Sequence, residues 1–321
     1  MIQLFYNLYN SIRDKNAFLK RIRFYSVLRY LTRVLANLTI GFYYRLTRNN
    51  PKYKLMHPSD SQLIISLTSF PGRTANLWMV IESLLRQTVK PDKIILYLSK
   101  NQFDGIQSLP LNLRLMQDRG VEIQFVEDDL RSHKKYFYAF RDYPDRLVMT
   151  VDDDVFYHPR VVESLLQLHQ KYPQAICCHL ASIITLEQGK IAPYLQWVDA
   201  KDEQISPNGF MPVGMGGILY PPGCMHELVL NSDVFRQICF HADDLWLNMM
   251  SRLNQTPVAK SSMDLICLPV MNQSDFSLTN MNVFGGENDK QLNAVRNYLS
   301  QNLKDPLCDL EMSKNAADEN K

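Results

Sequence analysis

The chain has 321 residues, of which 46% are hydrophobic and 21% are charged. This length and composition exclude a disordered or fibrous protein and allow one large domain or two modest ones with a sizeable core. The net charge of +2 hides an asymmetry, because residues 1–50 carry nine Lys or Arg and one acid, whereas the other 271 residues carry 26 bases and 32 acids. Since no nucleic-acid-binding motif accompanies the basic end, we expect no nucleic-acid partner.

The six cysteines form neither a CxxC pair nor a zinc-like array with the histidines. Cys177 and Cys178 are adjacent within an apolar run, where thiols behave as small hydrophobic groups. This usage favours a reduced, cytosolic environment. The first residues lack the layout of a signal peptide, because basic residues interrupt every apolar stretch.

The basic end has helical periodicity between Arg21 and Tyr44, with polar residues recurring among aliphatic and aromatic ones. These polar residues are Ser26, Arg29, Arg33 and Asn37. The charge-free window between Arg33 and Arg45 is 11 residues, well short of the roughly 20 that span a bilayer. The pattern predicts an amphipathic extension over 1–58 that either lies on an anionic membrane surface or packs on protein. We favour a membrane surface for residues 1–50, on the inner face of the cytoplasmic membrane.

Beyond a polar, proline-containing linker, apolar runs alternate with helical patterns. The predicted strands are 62–67, 93–98, 121–126, 146–151 and 175–180. The predicted helices lie within 71–87, 133–141, 161–171, 233–239, 243–253 and 287–303. This alternation predicts an α/β domain over 59–305, with a mainly parallel sheet flanked by helices. Residues 183–230, rich in Gly, Pro and aromatics, are predicted to be loops and short strands, and 306–321 to be a disordered tail.

Three consecutive aspartates, Asp152, Asp153 and Asp154, directly follow the apolar run 147–151. Open α/β sheets place their ligand crevice at the carboxyl ends of the strands. Crowded carboxylates repel one another, and carboxylate oxygens suit Mg²⁺ or Mn²⁺, with substrate phosphates completing the shell. The alternative is an acidic turn that caps the helix after Pro159.

Two further segments follow predicted strands. The first, SLTSFPGR, contains Thr68, Ser69 and Arg73 and could present hydroxyls, backbone N–H groups and a guanidinium to an anion. The second places Asp128 and Asp129 before basic residues that open a helix. A plain helix cap or solvated charges explain these segments equally simply.

Two segments lie further along the chain. One, PVGMGGILYPP over 212–222, has three glycines within four residues, which suit either close approach to a ligand or a tight hairpin. The other, HADDLW over 241–246, opens a helix with Asp243 and Asp244. These carboxylates suit either a helix N-terminus or a general base facing the aspartate triplet.

The stretches ISLTSFPGR, QTVKPDKIILYLS, VDDDVFYHP, GMGGILYPP and HADDLW, in this order over about 61–270, resemble nucleotide-sugar-dependent glycosyltransferases of the GT-A class. The chain is similar to family 2 enzymes and to transferases of bacterial capsule and lipopolysaccharide clusters. The resemblance implies a GT-A, Rossmann-like fold and hexosyl transfer that requires Mn²⁺ or Mg²⁺. It implies a nucleotide-sugar donor, with UDP expected, and a glycan or lipid-linked acceptor in cell-surface polysaccharide synthesis.

The resemblance also implies roles for single residues. The implied metal ligands are Asp152, Asp154 and His241. The implied donor-binding residues are Thr68, Ser69, Arg73, Asp128, Asp129, Lys135, Asp152 and Asp153. The implied acceptor-side residues are Gly216, Gly217 and Trp246. Asp244 matches the catalytic base of inverting members, with Asp243 in place of the usual glutamate. That replacement and the missing QxxRW signature argue against processive polymerisation.

Two other functions fit parts of the pattern. A nucleotidyltransferase would also hold a metal with carboxylates on a similar sheet, but it needs a glycine-rich, basic triphosphate loop that SLTSFPGR matches poorly. A non-catalytic carbohydrate-binding or scaffold protein could keep the fold without using the aspartates.

Overall fold

The structure is a computed structural model, which describes residues 2–12, 16–55, 62–206, 209–263, 265, 267–271 and 285–311. The helices of these residues are α1 (Ile2–Ser11), α2 (Ala17–Arg21), α3 (Phe24–Thr47), α4 (Thr74–Leu85), α5 (Leu111–Arg114), α6 (Lys134–Asp142), α7 (Val161–Lys171), α8 (Ser232–Ile238), α9 (Asp243–Leu253) and α10 (Glu287–Asn302). The strands are β1 (Leu63–Thr68), β2 (Lys93–Ser99), β3 (Val121–Val126), β4 (Leu147–Thr150), β5 (Val155–Phe156), β6 (Ile176–Cys178), β7 (Ala181–Ile183), β8 (Leu186–Glu187), β9 (Lys190–Ile191), β10 (Val198–Asp199), β11 (Gln204–Ser206), β12 (Phe210–Pro212), β13 (Ile218–Tyr220), β14 (Val258–Lys260) and β15 (Leu268–Pro269).

An eight-stranded sheet organises the domain, in the order β11-β14-β6-β13-β4-β1-β2-β3. β1 pairs in parallel with β2 and β4, and β2 with β3. The first five residues of β1 are all buried, as expected for a parallel strand covered by helices on both faces. The α/β prediction of a mainly parallel sheet flanked by helices is therefore confirmed.

The apolar pattern did not predict β11, β13 or β14 as strands of this sheet, and β13 lies at its centre. It runs antiparallel between β4 and β6 and is fully buried. Gly217, just before it, has φ +80°, and a Cβ there would lie 2.6 Å from Cε of Met149. A side chain at this position would therefore be strained and would collide with the core.

The carboxyl ends of β1, β3 and β4 meet at one edge of the sheet, because these strands share one direction. Helices α7 and α9 begin and end at the predicted residues, and the ends of the other predicted helices agree with the structure to within a few residues. The described residues of 183–230 form short strands, single helical turns and loops, as predicted.

The N-terminal extension packs on the domain through one face of α3. Ala36, Ile40 and Tyr44 on that face are buried, and together with Phe5 and Tyr6 of α1 they belong to the domain's core cluster. Packing on protein, one of the two predicted alternatives, thus describes this face. No helix among the described residues is long and apolar enough to cross a membrane.

The predicted tail is shorter than 306–321, because residues 306–311 pack against α10. Leu307 is fully buried, and the carboxylate of Glu311 lies 2.8 Å from the guanidinium of Arg296. The rest of the predicted tail, 312–321, lies outside the described residues.

Candidate active site

A cavity of about 550 Å³ lies at the carboxyl edge of the sheet. Its walls come from the loop after β1, the start of α6, the turn after β4, the glycine-containing turn before β13 and the start of α9. The predicted site residues that line it are Thr68, Ser69, Arg73, Asp129, Lys135, Asp152, Asp153, Asp154, His241, Asp243 and Asp244. Segments that are up to 176 residues apart in the chain are therefore brought together.

The aspartate triplet divides into one buried and two more accessible carboxylates. Asp153 accepts hydrogen bonds from Oγ of Ser69 at 2.5 Å and from Nη1 of Arg73 at 2.6 Å. The same Nη1 lies 2.9 Å from Asp154. The backbone N–H of Asp152 donates to the Tyr157 hydroxyl at 2.7 Å. Asp153 thus joins the turn after β4 to the loop after β1, which leaves Asp152 and Asp154 at the cavity wall.

The ammonium group of Lys135 connects the triplet to the acidic pair on α9. Its Nζ lies 2.8 Å from Asp152, 2.8 Å from Asp243 and 3.8 Å from Asp244. Burial alone would lower the pKa of Lys135, but these three carboxylates raise it well above its usual value. Lys135 therefore stays charged and holds the turn after β4 next to the start of α9.

One carboxylate oxygen of Asp244 is hydrogen-bonded, and the other is buried without a hydrogen bond from any described residue. Its Oδ2 accepts the backbone N–H of Gly214 at 2.8 Å, while Oδ1 has no hydrogen-bond partner among the described residues. A Cβ at position 214 would lie 3.0 Å from both Asp244 Oδ1 and Lys135 Nζ. Glycine at this position lets the backbone approach the carboxylate.

Three carboxyl groups in the cavity, those of Asp153, Asp154 and Asp244, bind protons more tightly than usual, and burial is the largest cause for each. Burial raises the pKa of Asp244 to about 7, with Asp243 and Asp152 adding to the shift and Lys135 opposing it. Burial and the neighbouring Asp152 raise the pKa of Asp154 to about 6, against the effect of Arg73. A carboxylate that titrates near neutrality is suited to accepting a proton in a reaction.

Asp129 contributes a separate ion pair to the wall. It accepts from the buried ammonium of Lys134 and, at 2.9 Å, from the side-chain amide of Gln102. Burial would raise the pKa of Asp129, but Lys134 and Arg131 lower it instead. This carboxylate is held in its ionised form.

Four predicted site residues do not line the cavity. Trp246 is fully buried, and its indole N–H donates to the Val229 carbonyl at 3.1 Å. A Cβ on Gly216 would meet Leu180, and one on Gly217 would meet Met149, so both glycines lie against the core. The acceptor-side prediction is corrected for these three residues.

Asp128 is the fourth residue that does not line the cavity. Its side chain is 65% exposed and lies 3.3 Å from Arg236. The strand ends one residue too early for Asp128 to turn inward, so Asp129 takes the position at the cavity wall.

The predicted metal ligands form no closed protein site. Within the described ranges, no group of three His, Cys, Asp or Glu side chains is arranged to hold a metal ion. His241 lines the cavity but does not join Asp152 and Asp154 in such a group. The metal-binding role predicted for Asp152, Asp154 and His241 therefore stays a prediction.

The charges of the cavity nevertheless fit a divalent cation. Six aspartates line it against four Lys or Arg side chains, an excess of two negative charges. Asp152 and Asp154 offer hard oxygen ligands, and the charge of Asp152 contributes to the raised pKa of Asp154, which a cation would relieve. Two carboxylates with substrate phosphates make a usual Mg²⁺ or Mn²⁺ shell.

Several cavity residues were not predicted. Gly214 lay in the glycine-rich segment, but no local signal distinguished it from Gly216 and Gly217. Gln102, Tyr194 and Asn288 also line the cavity, from loops with no recognisable motif. Their positions depend on long-range packing, so single-sequence patterns could not find them.

No protein family matches the chain, and no curated protein sequence matches it. Its fold is similar to that of S. aureus TarS 1-349, with 12% identity, a TM-score of 0.43 and coverage of 64% of this chain and 59% of that one. It is also similar to the mannosyltransferase PcManGT from Pyrobaculum calidifontis in complex with GDP-Man and Mn²⁺, with 11% identity, a TM-score of 0.41 and coverage of 74% and 66%. The chain thus spans less than two thirds of either structure. Similarity at this level identifies no reaction, so the function rests on the residues of this chain.

The Lys135 cluster generates a stability prediction. Lys135→Met leaves the carboxylates of Asp152 and Asp243 without their ammonium partner, so we expect the free energy of unfolding at pH 8 to fall by about 3 kcal/mol or more. The loss should be smaller at pH 5, because the unpaired carboxylates can then take up protons. Urea unfolding at both pH values measures this difference.

The matched control is Lys171→Met, which removes an exposed lysine paired with Glu203. It should change the free energy of unfolding by less than about 0.5 kcal/mol. An equal, pH-independent loss in both variants would contradict the role of Lys135.

Proposed function

We propose that this chain is a glycosyltransferase of the GT-A class that moves a sugar from a nucleoside-diphosphate donor to an acceptor hydroxyl with inversion. The expected donor is a UDP-hexose, and the expected acceptor is a glycan or a lipid-linked sugar. In this proposal Asp244 is the base, Asp152 and Asp154 hold the metal and the diphosphate, and Thr68, Ser69, Arg73 and Asp129 bind the nucleotide. Asp153 orients Arg73.

One observation carries the proposal. The Oδ1 atom of Asp244 has no hydrogen-bond partner among the described residues, and its carboxyl group has a pKa near 7. Asp244 and Asp152 lie 3.8 and 2.8 Å from the same Nζ of Lys135. A base for the acceptor hydroxyl therefore stands next to carboxylates suited to a phosphate-bound cation, as sugar transfer requires.

The surrounding residues support the departure of a nucleoside diphosphate. A divalent cation, when bound, would neutralise charge that develops on the leaving phosphate. Lys135 stays protonated beside Asp152, and it provides fixed positive charge near that position. Gly214 holds Asp244 through its N–H, so the carboxylate keeps one orientation when it accepts a proton.

Nucleotidyl transfer has less support, because it needs a glycine-rich, basic triphosphate loop after β1. The loop there, SLTSFPGR, has one glycine and one basic residue, Arg73. A non-catalytic binding protein has no use for a buried carboxylate with a raised pKa, and the first prediction below distinguishes it from an enzyme.

Asp244→Asn should lower kcat by about 10² to 10⁴ while donor binding persists, because asparagine keeps an acceptor for the Gly214 N–H but takes up no proton. In the unchanged protein, kcat/KM should rise with pH through about 7 as Asp244 ionises. Release of nucleoside diphosphate from a panel of nucleotide sugars measures the rate.

Stability provides a second measurement on the same variant. Because the pKa of folded Asp244 is raised, the protein loses stability as pH increases through about 7. At pH 8 the melting temperature of Asp244→Asn should therefore equal or exceed that of the unchanged protein. At pH 5.5 the difference between the two melting temperatures should be smaller. Asp233→Asn, an exposed change on α8, is the control, and unchanged turnover in Asp244→Asn would refute the assignment.

Asp154→Asn tests the metal proposal. We expect Mn²⁺ together with UDP to raise the melting temperature of the unchanged protein, and EDTA to remove this effect. The shift should be lost in Asp154→Asn and should weaken below about pH 6, because protonation of Asp154 removes a ligand. Asp128→Asn, outside the cavity, should show the same shift in melting temperature as the unchanged protein. A shift caused by UDP that is equal with and without Mn²⁺ would contradict the prediction.

We also propose that α3 lies on an anionic membrane surface. The side of α3 that packs on the protein carries Ala36, Ile40 and Tyr44, and beside them the Asn37 side chain donates to the Pro269 carbonyl at 3.0 Å and accepts from the Met271 N–H at 2.9 Å. The opposite side exposes large hydrophobic side chains at helical spacing, here called the apolar stripe. It consists of Phe24, Leu28, Leu31, Leu35, Leu38, Phe42 and Leu46.

Charge favours lipid over a second copy as the partner of the apolar stripe. Residues 1–50 carry a net charge of +8, so two copies would repel one another, whereas anionic headgroups of a cytoplasmic leaflet would attract the extension. Leu38 is 67% exposed and Phe42 64% exposed, and insertion into the headgroup boundary would bury both. This places the proposed reaction at the inner face of the cytoplasmic membrane.

Leu35→Ser/Leu38→Ser tests this surface by cosedimentation with phosphatidylglycerol vesicles. Insertion into the membrane would bury both leucines, so their replacement should weaken vesicle binding by at least about tenfold. Leu195→Ser/Ile205→Ser, equally exposed positions elsewhere, should leave it unchanged. The stripe would instead be assigned to a second copy if the unchanged protein did not bind vesicles, was a dimer in light scattering, and became a monomer in Leu35→Ser/Leu38→Ser.

A further inference from the structure

A second cavity, of about 470 Å³, lies between α3 and the end of α4 and is separate from the candidate active site. Ile40, Tyr43 and Tyr44 of α3 form one wall, and Arg86 and Tyr53 lie among the residues of the other walls. Arg86 directly follows α4, whereas Arg73 of the first cavity directly precedes it. The two cavities are thus at opposite ends of a 12-residue helix, about 18 Å apart along its axis.

The second cavity carries an excess of positive charge. Lys52, Arg86 and Lys90 line it, and none of its described lining residues is acidic. The nearby carboxylate of Glu82 is already shared, since it lies 2.9 Å from Arg86 and also pairs with Arg119. One carboxylate therefore serves four cationic side chains.

Arg86 is held in place by its neighbours and keeps one nitrogen without a hydrogen bond in the described part of the chain. Its side chain is 8% exposed, and its guanidinium lies 3.8 Å from the centre of the Tyr53 ring and 4.4 Å from that of Tyr44. Nε and Nη2 donate to Glu82 and Thr47, while Nη1 is buried without a hydrogen-bond partner among the described residues. Leaving such a donor unpaired is unfavourable.

The unbalanced charge also affects Lys90. Burial and the positive charges of Arg119, Arg86 and Lys52 lower the pKa of Lys90 to about 8. An anion in the cavity would reverse that effect, because an opposite charge nearby favours the charged ammonium.

We propose that this second cavity binds a phosphate group, with Arg86, Lys52 and Lys90 as its cationic ligands. A guanidinium and two ammonium groups are the usual partners of phosphate oxygens, and tyrosine hydroxyls at the wall can donate further hydrogen bonds. The phosphate belongs either to a membrane lipid headgroup, which the position of α3 favours, or to a small soluble phosphate. The inference does not depend on the proposed sugar transfer.

The experiment compares Lys52→Gln/Lys90→Gln with Lys171→Gln/Lys290→Gln. All four lysines are exposed, so neither double variant should disturb the fold, and both remove the same charge. Calorimetric titration with inorganic phosphate is done in EDTA, because the first cavity then keeps its excess of negative charge and repels phosphate. We expect saturable binding to the unchanged protein, at least about tenfold weaker binding to the first variant and unchanged binding to the control.

Vesicles distinguish the two sources of phosphate. If a lipid headgroup is the ligand, the first variant should bind phosphatidylglycerol vesicles less tightly than the control variant of equal charge, and inorganic phosphate should compete. If a soluble phosphate is the ligand, both variants should bind vesicles equally while only the first loses phosphate.

Two results would overturn the proposal. They are an absence of saturable phosphate and vesicle binding by the unchanged protein, and equal weakening in both double variants. Neither depends on turnover, so failure here is distinct from failure of the proposed reaction.

Discussion

The ammonium group of Lys135 is the interaction on which the candidate site depends. It lies 2.8 Å from Asp152, at the end of β4, and 2.8 Å from Asp243, at the start of α9. Without a buried cation these carboxylates would repel one another, and the turn after β4 could not approach α9. The sheet places Lys135, since α6 packs on β1 and the Ser66 hydroxyl of β1 donates to the Lys135 carbonyl. The fold thus determines the spacing of the acidic groups through one side chain.

Charge at this edge opposes stability, because six aspartates face four Lys or Arg side chains. Burial is the first cause of the raised pKa values of Asp154 and Asp244, and repulsion from neighbouring aspartates adds to it. In the proposed function, a cation would relieve the strain on Asp154, and Asp244 would accept a proton near neutral pH. Asp153 differs because Ser69 and Arg73 satisfy it, so adjacent residues of one triplet serve structural and chemical purposes.

The sequence predicted what depends on local pattern and missed what depends on distant partners. The ends of α7 and α9 follow from helical periodicity, and the position of the aspartates follows from the apolar run before them. The antiparallel insertion of β13 was not predictable, because a three-residue apolar run does not specify its neighbours. Trp246 was assigned to the acceptor side because it follows the acidic pair, yet helical geometry turns it into the core. Likewise, only the contact with Asp244 identifies Gly214 as the glycine of the site.

The N-terminal extension shows why amphipathicity alone did not decide its role. The periodicity of α3 predicted two faces but not which one meets the protein. The face turned inward combines Ala36, Ile40 and Tyr44 of the core with Asn37, which bonds to the backbone around β15. The apolar stripe is left on the outer side, where an ordinary surface helix is polar. Since α4 begins next to Arg73 and ends next to Arg86, the two proposals place the donor of the first cavity and the phosphate of the second at opposite ends of one helix, about 18 Å apart.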